Sequence, residues 1–159
     1  MLEKILTSSR AVKQTALYRV RHKVDITKEL CLEAVRGSGW AIQYIDDELI
    51  TEQMCLEAVK NTGYALQLVP TKLRTKEICL EAVKQHGSML DCVPPHLRTE
   101  EMCLVAIKQC GYALEYTPEH LKTEQMCLEA VKQYVYALPY VPKHLEEYVR
   151  QNLNIQQDC

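Results

Sequence analysis

The string TEQMCLEAVK stands at 51–60 and again, unchanged, at 123–132. Variants of it open at 27, 75 and 99 as TKELCLEAVR, TKEICLEAVK and TEEMCLVAIK. Aligned on their threonines, residues 27–50, 51–74, 75–98, 99–122 and 123–146 are five tandem repeats of 24 residues with no insertion. A fixed period of this length means that one supersecondary element is copied and that its copies bury one another's apolar faces. The chain is therefore expected to be all-α: an α-solenoid of five helix–turn–short-helix repeats with degenerate terminal caps.

Comparing the copies assigns a role to each slot. Slot 1 is always Thr, an N-cap whose hydroxyl accepts from a free backbone N–H. Slot 3 is Glu or Gln and slot 10 is Lys or Arg, which suits the positive and negative ends of a helix dipole. Slots 4, 5, 6, 8 and 9 are apolar, so slots 2–11 are expected to form the first helix. Slot 13 is glycine in four copies (Gly39, Gly63, Gly87, Gly111), expected to end that helix in a left-handed conformation. Slots 14–19 then read aromatic-Ala-Leu-x-x-Val. Slot 20 is proline in four copies (Pro70, Pro94, Pro118, Pro142), which keeps the second helix short. Slot 23 is Leu throughout and should anchor the return to the next repeat. In the last copy Val135 replaces the glycine and Pro139 enters the short helix, which leaves the geometry of that turn open.

Residues 1–26 carry six Lys/Arg against two acids, and RAVKQTALYRV at 10–20 echoes a repeat with Ser8 in the cysteine slot. They are expected to be a basic, degenerate capping repeat. A transit peptide is the lesser alternative, and no apolar stretch there resembles a secretory signal. Residues 147–159 turn polar, as a terminal cap should, and are expected to fray after about residue 153. The chain's formal net charge is −2, so it offers no global attraction to nucleic acid or an anionic membrane. No stretch approaches the roughly 18 apolar residues of a membrane span.

Five of the eight cysteines (Cys31, Cys55, Cys79, Cys103, Cys127) fall in slot 5 at intervals of 24 residues. Packed helices lie about 8–10 Å apart, wider than the Cα separation of about 6.8 Å that a disulfide tolerates. These thiols are expected to stack unbonded as small buried groups in a reducing, cytoplasmic setting. The alternative, a metal or iron–sulfur site, lacks any CxxC pair. His96, His120 and His144 share slot 22, too far apart to bind one ion. No metal or other cofactor is expected. Cys92, Cys110 and Cys159 fall outside the ladder, and Cys159 is expected to be the most oxidisable.

The pattern T-x-E-x-C-L-E-A-V-K-x-x-G-x-A-L-x-x-V-P-x-x-L resembles the bacterial repeat family of unknown function DUF4116 over residues 27–146. The resemblance implies a tandem helical repeat fold of two such repeats per domain. It also implies occurrence in bacterial proteins, including those of intracellular pathogens. It carries no activity, cofactor or catalytic residue.

Candidate binding residues come from the slots that vary and from a second aromatic stripe. Slots 12, 17 and 21 drift between copies. Slots 14 and 18 pair Trp40 with Tyr44, Tyr64 with Leu68, Ser88 with Cys92, Tyr112 with Tyr116, and Tyr136 with Tyr140. The i, i+4 spacing places each pair on one face of the short helix. The chain has nine Tyr and no Phe, which suits half-buried rings with wet hydroxyls on a binding face, although packing between repeats, each Tyr covering its neighbour's turn, is the reading favoured over it. The small pair Ser88 and Cys92 is either a notch flanked by Tyr64 and Tyr112 or a gap refilled by Met89. A slot-10 cation ladder runs beside slot-7 glutamates, expected as a solvated face of i, i+3 pairs. It is interrupted by Val105, which leaves Lys108 without its slot-7 partner. The expected function is a non-enzymatic module for a protein or peptide partner, an adaptor or effector that could reach a host cytosol. Single-stranded RNA binding, a partnerless spacer and dimerisation through the solenoid ends are the alternatives.

Overall fold

The computed structural model describes residues 16–23 and 26–155. The reading of Ser8 and most of the capping repeat, and that of Cys159, lies outside them. The chain is an all-α repeat solenoid, and no strand occurs among the described residues. It divides into two compact bodies, Met1–Ala82 and Val83–Cys159, the boundary falling inside the third repeat helix.

Each repeat opens with a ten-residue α-helix: α1 (Lys28–Gly37), α2 (Glu52–Asn61), α3 (Lys76–Gln85), α4 (Glu100–Gln109) and α5 (Glu124–Gln133). The threonine before each starts it as the pattern requires. Thr27, Thr51, Thr75, Thr99 and Thr123 accept hydrogen bonds from the backbone N–H three residues on, at 3.2–3.4 Å. Slots 5, 8 and 9 are buried in every repeat, and slot 4 in all but the first, where Leu30 is half-buried. Slot 6 leucine is half-buried throughout, so the apolar stripe is narrower than its composition implies. In the N-terminal body the core gathers Val20, Val35, Ile42, Val59, Leu66 and Val69. In the C-terminal body it gathers Leu90, Met102, Ile107, Leu114, Met126 and Val149.

The second helix is 3₁₀: Gly39–Tyr44, Gly63–Leu68, Gly87–Cys92, Gly111–Leu114 and Val135–Tyr140. It closes i→i+3 bonds such as Ala41 N–H to Ser38 O at 2.9 Å and Ile45 N–H to Ile42 O at 3.2 Å. A further short 3₁₀ turn follows the proline in three repeats, at Thr71–Leu73, Pro95–Leu97 and Glu119–Leu121.

The expected left-handed glycine is not found, because the turn is made one residue earlier. Slot 12 is extended, as in Ser38 (φ −156°, ψ 119°), and no described glycine has positive φ. Glycine is needed for a different reason. A Cβ on Gly39 would lie 2.4 Å from Ala58 O, one on Gly87 2.4 Å from Ala106 O, and one on Gly111 2.5 Å from Ala130 O. The backbone of each of these 3₁₀ segments therefore runs against the first helix of the next repeat, closer than any side chain permits.

The last repeat explains its own departure. Its slot 13 meets no carbonyl of a following helix among the described residues, and Val135 is 50% exposed. Its turn survives Pro139, keeping Ala137 N–H to Tyr134 O at 2.9 Å and Val141 N–H to Leu138 O at 3.0 Å. The chain then enters α6 (Lys143–Leu153), which packs on α5. Asn154 ends α6 in the left-handed region (φ 54°), with Ile155 N–H returning to Arg150 O at 3.0 Å.

Gly87→Ala is thus expected to cost about 1–3 kcal/mol, since a backbone carbonyl cannot move aside as a side chain can. Val135→Gly is expected to cost no more than about 1 kcal/mol, the backbone-entropy cost of glycine in a helix. Urea denaturation followed by far-UV circular dichroism distinguishes the two.

Candidate functional site

The repeats are joined by polar groups in two slots that the sequence pattern did not single out. The slot-11 amide of one repeat closes the preceding one. Asn61 Oδ1 accepts from Gly39 N–H at 3.0 Å while its Nδ2 donates to Arg36 O at 3.4 Å. Gln109 does the same to Gly87 N–H at 3.0 Å and Lys84 O at 2.8 Å, and Gln133 donates to Lys108 O at 3.2 Å. Slot 24 supplies a cation that folds back on its own repeat. Arg74 Nε donates to Val69 O and Arg98 Nε to Val93 O, both at 2.9 Å. Arg98 also reaches Tyr116 O of the next repeat, and Lys122 Nζ reaches Tyr140 O at 2.7 Å. The signal was present: slot 11 is Asn or Gln in four copies and Gly37 in the first.

These contacts set where the aromatic stripe stands. In the N-terminal body Trp40 is 45% exposed, Tyr64 is exposed, and Tyr44 is half-buried with the Arg21 guanidinium carbon 5.6 Å from its ring centroid. In the C-terminal body Ser88 is exposed and Cys92 half-buried, while Met89 is 3% exposed. The extra volume of Met89 therefore lies inside the core.

Tyr112 is the centre of a tyrosine cluster. Its ring meets Tyr116 at 5.8 Å, Tyr134 at 6.1 Å and Tyr140 at 6.0 Å, all edge-on, and Tyr134 meets Tyr136 at 5.4 Å. The expected i, i+4 partnership holds at Tyr112 and Tyr116 for a local reason. The 3₁₀ segment of this repeat stops at Leu114, and Glu115 is α-helical (φ −57°, ψ −40°). Helical spacing at that point brings residue i+4 beneath residue i. Two variable slots join the stripe here, Tyr134 from slot 12 and Glu115 from slot 17. The Tyr112 phenol faces the Glu115 carboxylate, with the Tyr140 and Tyr116 hydroxyls also near it. The carboxylate first, then Tyr140, holds the phenol proton well above the usual tyrosine range. Glu115 Oε2 is closed off from solvent and accepts no hydrogen bond.

At Arg36 the cation ladder pairs across repeats. Arg36 Nε lies 3.6 Å from Glu57, the slot-7 acid of the following repeat and not of its own. Val105 is half-buried and Lys108 exposed on α4. His96, His120 and His144 are exposed, and no group of three or more metal-ligating side chains comes together among the described residues.

The five ladder cysteines are fully buried thiols outside any disulfide. Burial pushes the thiols of Cys55, Cys79 and Cys127 up to about 11, and raises Cys31 and Cys103 as well. At Cys103 the buried Thr117 hydroxyl, which donates to Ala113 O at 3.1 Å, pulls in the opposite direction.

Against this geometry, the family described as "Domain of unknown function (DUF4116)" matches residues 27–74, 51–98 and 99–146. The chain belongs to this family. Each DUF4116 match spans two 24-residue repeats, and the first two are offset by one repeat. The tyrosine cluster lies within the third match. Comparisons with curated proteins and with solved structures gave no match. No helix among the described residues is long and apolar enough to cross a membrane.

The buried thiols make stability depend on alkaline pH. An unfolded thiol loses its proton near pH 8.5 or so, whereas the folded thiols of Cys55, Cys79 and Cys127 keep theirs to about 11. Between these values the unfolded chain binds fewer protons, so stability falls as pH rises. The urea midpoint is expected to hold steady between about pH 7 and 8 and to fall from about pH 9 to 11. Cys79→Ala should remove up to about one proton from that slope.

Proposed function

We propose that this DUF4116 array is a non-enzymatic protein-interaction module that holds a protein or peptide partner on its tyrosine face. The observation that carries the reading is the cluster around Tyr112. Tyr134, Val135 and Tyr136, three consecutive residues at the end of the repeat series, are all exposed, Tyr136 at 72%. Tyrosine is enriched at interfaces because a large, stiff ring gives contact area at small entropic cost while its hydroxyl stays hydrated. The face also draws on slots that differ between copies, whereas the buried slots repeat one composition. A chain with a net charge of −2 favours a protein over an RNA strand as the occupant. The buried ladder thiols suit a reducing compartment such as a cytosol, where the module would act as an adaptor or as an effector inside a host cell.

The test is affinity capture with and without nuclease, comparing the native chain with a Tyr112→Ala, Tyr136→Ala double variant. The expected result is a discrete protein partner that survives nuclease and binds the variant at least ten-fold more weakly. Capture that nuclease abolishes would move the assignment to RNA. A partner indifferent to both substitutions would place the face elsewhere.

A further inference from the structure

The tyrosine cluster has an unfilled electrostatic need. Buried acceptors almost always have a hydrogen-bond partner, and one without calls for an explanation such as an absent ion or ligand group. Glu115 Oε2 is such an atom, next to the ring at the centre of the cluster. Tyrosine ring faces are electron-rich, and the carboxylate adds a full negative charge beside them. Both favour a cation.

Among the described residues, the nearby cations are engaged elsewhere. Arg98, whose guanidinium reaches this stretch, donates to the carbonyls of Asp91, Val93 and Tyr116. Lys122 donates to Tyr140 O and to Glu119 Oε2. Among the described residues no cation lies over Tyr112, Tyr116, Tyr134 or Tyr140, whereas the N-terminal body fills the corresponding position. Tyr44 is the slot-18 counterpart of Tyr116 and Tyr140, and the Arg21 guanidinium carbon stands 5.6 Å from its ring centroid.

Geometry selects between the two cationic side chains. Rings packed edge-on at 5.8–6.1 Å, with a tilted pair at 5.4 Å, leave no gap in which an ammonium could be enclosed. A planar guanidinium can lie flat on an exposed ring face and still present its fork of donors to a carboxylate.

We propose that the cluster of Tyr112, Tyr116, Tyr134, Tyr136 and Tyr140, with Glu115 beside Tyr112, binds an arginine side chain of a protein partner. This rests on the interaction-module reading above and gives it a chemistry. The guanidinium settles first on the ring faces, and its fork reaches Glu115 as the exposed Tyr112 ring swings outward.

The experiment titrates the full chain, with its tyrosine rings labelled for carbon-13 NMR, with N-acetyl-arginine methylamide. The probes for comparison are the uncharged citrulline counterpart and N-acetyl-lysine methylamide. The expected result is saturable shifts at Tyr112 and Tyr136, at least ten-fold weaker for citrulline and weaker for lysine. Glu115→Gln should weaken arginine binding at least ten-fold with the remaining spectrum unchanged. If that variant disturbs the fold, Tyr136→Ala, on an exposed ring, serves in its place. Equal binding of arginine and citrulline, indifference to Glu115→Gln, or no saturable shift overturns the proposal. A captured protein partner that binds Glu115→Gln as well as the native chain overturns the arginine assignment alone. Arginine binding with no captured partner overturns the interaction module alone.

Discussion

The close approach of one backbone to another governs this fold. At Gly39, Gly87 and Gly111 a 3₁₀ segment lies so near the following helix that a methyl group would meet a carbonyl oxygen at 2.4–2.5 Å. Such proximity leaves polar backbone groups at the seam without water, and they must be satisfied from nearby. The slot-11 amides do this at Gly39 and Gly87, and the slot-24 cations do it for the carbonyls at the other end of the segment. The 24-residue period is thus the spacing at which glycine, amide and cation recur in register with the helix they contact.

This seam also decides what remains free. A 3₁₀ helix has three residues per turn, so slots 13, 16 and 19 share one side and face the core. Slot 14 is turned away from it, and its aromatic is exposed in four of the five repeats, at Trp40, Tyr64, Tyr112 and Tyr136. The tyrosine face is a by-product of how tightly the glycine side is packed. Where the 3₁₀ geometry relaxes at Glu115, the face changes character: tyrosine rings meet edge-on and a carboxylate lies beside Tyr112. The series ends where Val135 stands in place of glycine, and the aromatic surface there stays open.

Much of this was legible in the residues. The repeat boundaries, the threonine caps and the inward cysteines follow from slots that never vary, because capping and burial leave few choices of side chain. The aromatic stripe was legible for the complementary reason, that it alternates with fixed apolar slots. Other features were not. Glycine can mean a left-handed turn or a close contact, and only the position of Ala58 O or Ala106 O distinguishes them. The partners of Asn61 and Gln109 lie 22 and 25 residues away, on the far side of a turn. The pairing of Arg36 with Glu57 and not Glu33 needs the lateral placement of two helices. The role of Glu115 could not be read from slot 17, which changes in composition from copy to copy.

The most direct measurement of the seam is amide hydrogen exchange at slot 13. Gly39 and Gly87 N–H groups donate to an amide of the next repeat at 3.0 Å, whereas among the described residues no such amide accepts from Val135. The account predicts slow exchange at Gly39 and Gly87, at rates that track unfolding of the surrounding helices, and fast exchange at Val135. Equal exchange at all three would mean that the repeats are not held by this contact.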